Sequence, residues 1–253
     1  MKKLSLAIVS LFILLSCSSD DGNKGYNISL NFGHIWDDTP VTNSDFNTIK
    51  FTNANGNQLS IERLRYVISD LTFNNSNGET ISIEGYNLVD VTNAENLSFS
   101  PAATIPKGKY TNVSFIFGFT NAKNIDAAYA DLNSASFGVP TMMGGGYHYM
   151  QLDGKFINSS SSEQGYNYHA IRAVDNPGAS PSFPQDTFFK VDLGAVTINS
   201  NTNLNIEMNI AQWFKSPHTW DLDALNQALM PNSTAQIMMY DNGQNVFSLK
   251  SID

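Results

Sequence analysis

Apolar and polar residues alternate along most of this chain. Tyr26-Asn27-Ile28-Ser29-Leu30-Asn31-Phe32 does so without a break and places Ile28, Leu30 and Phe32 on one face, the period of a strand with one side buried. The same pattern predicts strands at 59–73, 80–83, 87–91, 110–119, 147–157, 166–173, 188–196, 203–210, 235–240 and 245–249. Turn-forming clusters separate them, among them NNSNGE at 74–79, PKGK at 106–109, NSSSSEQG at 158–165 and DNPGASPSFPQD at 175–186. Two segments predict short helices: the alanine-rich 121–133, and DLDALNQAL at 221–229, whose acids fall in the first turn, where the helix dipole favours them. Many strands, few helices and frequent turns predict an all-β fold, an antiparallel β-sandwich with a few short helices in connecting loops. Residues 26–253 read as one domain, and 42% hydrophobic composition over a chain of 253 residues is enough for a substantial core.

The first residues break this pattern. Lys2 and Lys3 precede an apolar run from Leu4 to Leu15 that is too short to span a bilayer, which needs ~20 apolar residues. Leu14-Leu15-Ser16-Cys17 resembles a bacterial lipobox, so residues 1–16 are expected to be a lipoprotein signal peptide and 17–25 the acylated Cys17 and its tether. Ser18-Ser19-Asp20-Asp21 is similar to the acidic export signal of surface lipoproteins in the Bacteroidota. The expectation is an outer-membrane lipoprotein, exposed at the cell surface, that touches the membrane only through its lipid.

Charge and cysteine content narrow the chemistry. The net charge of −9 becomes −11 once Lys2 and Lys3 are removed, and no basic patch exists to neutralise phosphates, so nucleic acid is not an expected partner. Cys17 is the only cysteine in the sequence, which leaves the folded part without disulfides or thiolate ligands. No GxSxG elbow, Walker loop or HExxH motif occurs, and the expectation is a protein that is not an enzyme. Gly144-Gly145-Gly146 precedes a strand and not a helix, so it is read as a flexible strand entry and not as a phosphate cradle. Asp37-Asp38 is a weaker candidate for calcium, lacking the alternating acidic loop that calcium sites use.

The four histidines carry more information. Strand parity places His34 with Ile28, Leu30 and Phe32, His148 with Met150 and Leu152, and His169 with Ile171, each on the face expected to be buried. A lone histidine on an apolar face is usually a hydrogen-bonded core residue, whereas three from four suggest imidazoles converging on a metal. His218, in Ser216-Pro217-His218-Thr219-Trp220, falls in a loop and is the weakest candidate for a fourth ligand. Met142, Met143, Met150, Met208, Met238 and Met239 lie in or near strands and could add a soft ligand, although methionine there is more often filler.

Several stretches together resemble the MbnP-like family, named for a methanobactin-associated copper protein. Asn31-Phe32-Gly33-His34 is similar to its opening F-x-H strand, and the run Ile61 to Leu71 (IERLRYVISDL) to its RLKYYISNL-type segment. Tyr86 to Asp90 matches Y-x-L-V-D, and Pro106 to Tyr110 with Phe115 to Gly118 resembles P-x-G-x-Y…F-x-x-G. Gly146-Tyr147 with Leu152-Asp153-Gly154 resembles GY-x4-LEG, and Tyr168-His169 the YH that follows. The resemblance implies a secreted or lipid-anchored β-sandwich whose histidines bind copper, with His34 and His169 at family positions and His148 inside a matched motif. It also implies a dihaem peroxidase-like partner that oxidises a tryptophan to kynurenine in some relatives. Trp36 follows His34 and Trp220 follows His218, a departure from the W-x-H order of those relatives.

The expected function is therefore a cell-envelope lipoprotein that binds copper through His34, His148, His169 and His218, in metal capture or handling. The alternative is a surface β-sandwich that presents Trp36, Trp213 and Trp220 to a glycan or a protein partner without a metal, since exposed aromatic faces suit such ligands.

Overall fold

The structure, a computed structural model, describes residues 25–253. The expected signal peptide, Cys17 and most of the expected tether lie outside the described residues. Within them, nine strands of six residues or more form two facing sheets: β1 (Ile28–Trp36), β2 (Arg63–Asn75), β3 (Thr80–Asp90), β4 (Gly108–Phe117), β5 (Met150–Ile157), β6 (Glu163–Ala170), β7 (Phe189–Ile198), β8 (Thr202–Asn209) and β9 (Phe247–Ile252). The predicted all-β sandwich is the observed fold.

The larger sheet is organised around β2. Its first residues pair with β5, Arg63 opposite Asp153 and Tyr66 opposite Met150, while its later residues pair with β4 along the same edge. The other edge pairs with β3, β7 flanks β4, and β6 flanks β5. At the switch between partners, the Val67 N–H donates to Tyr149 O (2.9 Å) and the Gly118 N–H to Val67 O (2.9 Å), so the ladder stays satisfied where neighbours change. The smaller sheet sets β1 between short strands and β8, the latter parallel to it with Ile206 opposite Phe32 and Met208 opposite His34, and β9 antiparallel to β8.

Alternation along β1 buries Ile28, Leu30, Phe32 and His34 against the inner face of β2 and β4. Phe32 meets Tyr66 and Phe115 edge to face, each with centroids 6.0 Å apart, a geometry that adds to simple burial of the rings.

Three local expectations are corrected. The strand predicted at 235–240 is a helix, α2 (Ser233–Gly243), capped by the Asn232 side chain, which accepts from the Ala235 N–H (3.0 Å). Its buried residues are Ala235, Gln236, Met239, Asn242 and Gly243, spaced as a helix face. Because two of them are polar, the apolar residues alone mimic a strand. Of the helices predicted at 121–133 and 221–229, the first contracts to α1 (Ala130–Ser134) and the second is a series of turns. In the second, the Asp223 carboxylate accepts from the Ser159 N–H and the Asn57 amide, and the Trp220 indole N–H donates to Leu225 O, so local polar groups serve neighbouring loops.

The glycine run is not a flexible entry. Gly144, Gly145 and Gly146 hold φ of 97°, 68° and 75°, and a Cβ at Gly144 would stand 2.4 Å from the Phe183 ring and one at Gly146 2.6 Å from Asn124 Oδ1. Left-handed backbone and close packing together fix glycine there.

Candidate metal centre

The register of β2, β5 and β6 gathers the outer-face residues. Gln151 stands opposite both His169 and Arg65, and Asp153 opposite both Asn167 and Arg63. The intervening Tyr66, Leu64, Leu152 and Tyr168 project into the sandwich core. His169 is therefore on the outer face of the larger sheet, not on the inner face that parity with Ile171 predicted. The strand ends at Ala170, so counting through to Ile171 crosses out of regular structure.

His148 reaches the same place by a different route. It precedes β5, and its backbone N–H donates to Phe137 O (3.0 Å), whereas that of Tyr149 donates to Ala170 O (2.8 Å). The sheet ladder thus begins after His148, and the parity that predicted it beside Met150 and Leu152 on the inner face does not extend to it. Its ring packs against Phe137 (centroids 5.7 Å apart) and against His169 (5.1 Å, planes at 85°). With 4% of its surface exposed it is buried, but beneath the segment following α1 and not between the sheets.

Hydrogen bonds fix the protons on both rings. His148 Nδ1 lies 2.9 Å from Phe137 O, which can only accept, so Nδ1 carries the hydrogen. Burial, reinforced by His169, lowers the His148 pKa to about 4, so the ring is neutral at pH 7 and Nε2 holds a lone pair. That Nε2 is fully buried and has no protein partner, a state that native interiors rarely leave unexplained. His169 Nε2 donates to Asp153 Oδ1 (2.7 Å), so Nδ1 is the nitrogen left to bind an ion. Asp153 also accepts from Arg63 and Asn167. Burial raises its pKa, yet His169, Arg63 and Asn167 together bring it to about 2, so it remains a carboxylate.

The other candidates lie apart from this pair. His34 faces the inner side, where its Nε2 is 3.0 Å from the Tyr66 hydroxyl; burial lowers its pKa to about 4. The larger sheet stands between it and His169. His218 is partly exposed and pairs with Asp241 (2.9 Å) beside α2. A single site shared by all four histidines is not what the fold builds. Trp36, Trp213 and Trp220 are buried, at 8%, 0% and 0% exposure, which removes the aromatic platform expected of the glycan or protein module. At Asp37-Asp38, the candidate calcium position, the Asp37 carboxylate pairs with Lys215 (2.8 Å) at the surface. Among the described residues, no three or more His, Cys, Asp or Glu side chains are grouped to hold a metal.

A family model, MbnP, matches residues 25–239, most of the chain. The chain belongs to the MbnP family. A solved structure, MbnP from Methylosinus trichosporium, is similar with a TM-score of 0.53 and 13% sequence identity, covering 90% of this chain and 98% of that one. At that identity the likeness is one of fold. The curated proteins contain no match.

The MbnP-like stretches map onto the framework of the site: the RLRY segment is the start of β2, and LDG supplies Asp153 in β5. Gly154 of LDG is required by packing, since a Cβ there would lie 2.1 Å from Ser60 O. Sequence reasoning placed Asp153 only within the LDG motif and missed it as the residue that orients His169, because the β5–β6 register that sets the two on one face is not visible in the sequence. It also missed Gln236, whose side chain donates to His169 O (2.8 Å) and accepts from the Ile171 N–H (2.8 Å), because nothing in the pattern joined α2 to the end of β6.

Proposed function

We propose that this protein binds copper, as copper(I), at His148 and His169, and serves as a lipid-anchored envelope protein for copper capture or handling and not for catalysis. The observation that carries this reading is the state of the two rings. A metal-bound histidine characteristically donates its other N–H to a backbone carbonyl or a carboxylate, which sets the ligating tautomer. His148 does the first through Phe137 O, His169 the second through Asp153, and the His148 lone pair is otherwise an unpartnered buried acceptor.

The donor set favours copper(I) over its rivals. Structural zinc takes four ligands, often thiolates, and hard cations take carboxylates and carbonyls, whereas two neutral imidazoles suit a soft monovalent ion that tolerates low coordination. Arg63 and Arg65 lie on the same sheet face, and their repulsion of a monovalent cation is half that of a divalent one. When bound, copper would supply a held, exchangeable ion, and the residues do the rest: Asp153 and Phe137 O orient the imidazoles, and the segment following α1 excludes water. The leader and the Cys17 lipobox support placement at the outer membrane.

Anaerobic titration with copper(I) tests the reading. Replacing His148 and His169 together by Asn should abolish binding, whereas His34→Gln and His218→Asn should leave it unchanged. Wild-type affinity in the His148/His169 double variant would remove the proposal.

A further inference from the structure

A cavity of about 240 Å³ opens beside His169, lined by Asn167, His169, Ala228, Leu229 and Met230. It is a built feature. The Asn167 N–H donates to Asn226 O (2.8 Å), and the Gln236 amide donates both to His169 O (2.8 Å) and to Leu229 O (3.1 Å), so the 226–230 segment is clamped along β6. Gln236 thereby spans the two walls that carry the imidazole and the thioether. Met230 is half-buried and packs, with Met143, against Val139, Ile171 and Val174. Val139 lies two residues beyond Phe137, the residue that orients His148.

We propose that Met230 supplies a thioether ligand for copper(I) at the mouth of this cavity, making the cavity the ion's route to the histidine pair. The inference rests on the copper reading of His148 and His169. A thioether is neutral and soft, so it selects copper(I) and adds little for zinc or for hard divalent ions. It places such a group where an ion leaving solvent first meets His169. Methionine is adaptable enough to swing between apolar packing and a metal without disturbing the fold. Neighbouring Leu229 and Ala228 have apolar side chains, so besides His169 and Met230 the lining offers an ion only the Asn167 amide.

The test uses the purified protein loaded anaerobically with copper(I), competed against bicinchoninate and examined by copper X-ray absorption, with zinc(II) binding and thermal melting as companions. Met230→Leu, which keeps the volume but removes the sulfur, should weaken copper(I) by roughly tenfold or more and delete a sulfur scatterer. Zinc(II) binding and the melting temperature should not change. Met143→Leu, which removes a thioether from the same apolar cluster but not from the cavity wall, should behave as wild type; an equal loss there would reduce the effect to loosened packing and overturn the inference. Unchanged affinity in Met230→Leu with copper lost from the His148/His169 double variant would overturn the role of Met230 alone. Unchanged affinity in both would overturn the histidine site as well.

Discussion

His148 and His169 stand edge to face with ring centroids 5.1 Å apart, one placed by a loop over the sheet and the other by a strand within it. Each ring is held by an acceptor on one nitrogen, Phe137 O on Nδ1 of His148 and Asp153 on Nε2 of His169. The pair is therefore oriented before any ion arrives, and the ordering cost of binding is already met by folding.

Asp153 is the residue through which that orientation can be tested. Asp153→Asn keeps an oxygen opposite His169 but removes the charge that holds the Nε2–H tautomer. We expect copper(I) affinity to fall by about 10- to 100-fold, the usual effect of losing a carboxylate behind a ligating histidine. Competition titration of the variant checks this, and wild-type affinity would show that the carboxylate does not serve the ring.

Gln236→Leu tests the clamp between α2 and the end of β6. Gln236 is 1% exposed, and its loss strands the Ile171 N–H and withdraws a donor from both His169 O and Leu229 O. Leaving buried polar groups unpaired costs about 1–3 kcal/mol each, so a total destabilisation of roughly 2–4 kcal/mol is expected in urea unfolding. A variant within 0.5 kcal/mol of wild type, about the ordinary effect of a surface change, would mean that the backbone finds other partners.

The strands were legible because one face of each is buried by the facing sheet, as at Ile28, Leu30 and Phe32. The helix α2 was not, because Gln236 and Asn242 are buried through hydrogen bonds and not through apolarity, so hydrophobic period undercounts its face. The site was misplaced for a different reason. Parity is valid only inside regular strand, and His148 and His169 stand just outside and at the end of theirs, where the chain changes direction. That the two histidines meet was foreseeable only as a candidate convergence, and that His34 does not join them follows from the thickness of a sheet.

Gly146→Ala probes the turn that delivers His148. The residue holds φ 75° and its Cβ would meet Asn124 Oδ1 at 2.6 Å, while Asn124 Oδ1 accepts from the Tyr147 N–H (2.8 Å). Left-handed strain of about 1–3 kcal/mol is expected in the melting curve, with weaker copper(I) binding as His148 shifts. Unchanged stability and affinity together would mean that Asn124 yields without moving the strand entry.

Acid should destabilise the metal-free protein in a defined window. Burial lowers both His34 and His148 from the ordinary 6.5 to about 4, so the folded state resists the proton that the unfolded chain accepts. The associated stability is full above pH 6.5, declines as pH falls because the unfolded state then binds more protons, and is gone below about pH 4. Each ring accounts for roughly 3 kcal/mol across that interval. Asp153, held at about 2, contributes in the same direction but over a lower range, beginning near the ordinary carboxylate value of 3.8. His34→Gln keeps a hydrogen-bonding group for the Tyr66 hydroxyl and removes one of the two imidazoles, so it should reduce the loss measured between pH 7.5 and pH 4 by about half. Urea unfolding of wild type and variant at pH 7.5, 5.5 and 4 decides it: parallel curves would show that His34 takes up its proton in the folded state without cost, and the buried contact with Tyr66 would then have to open at ordinary acidity.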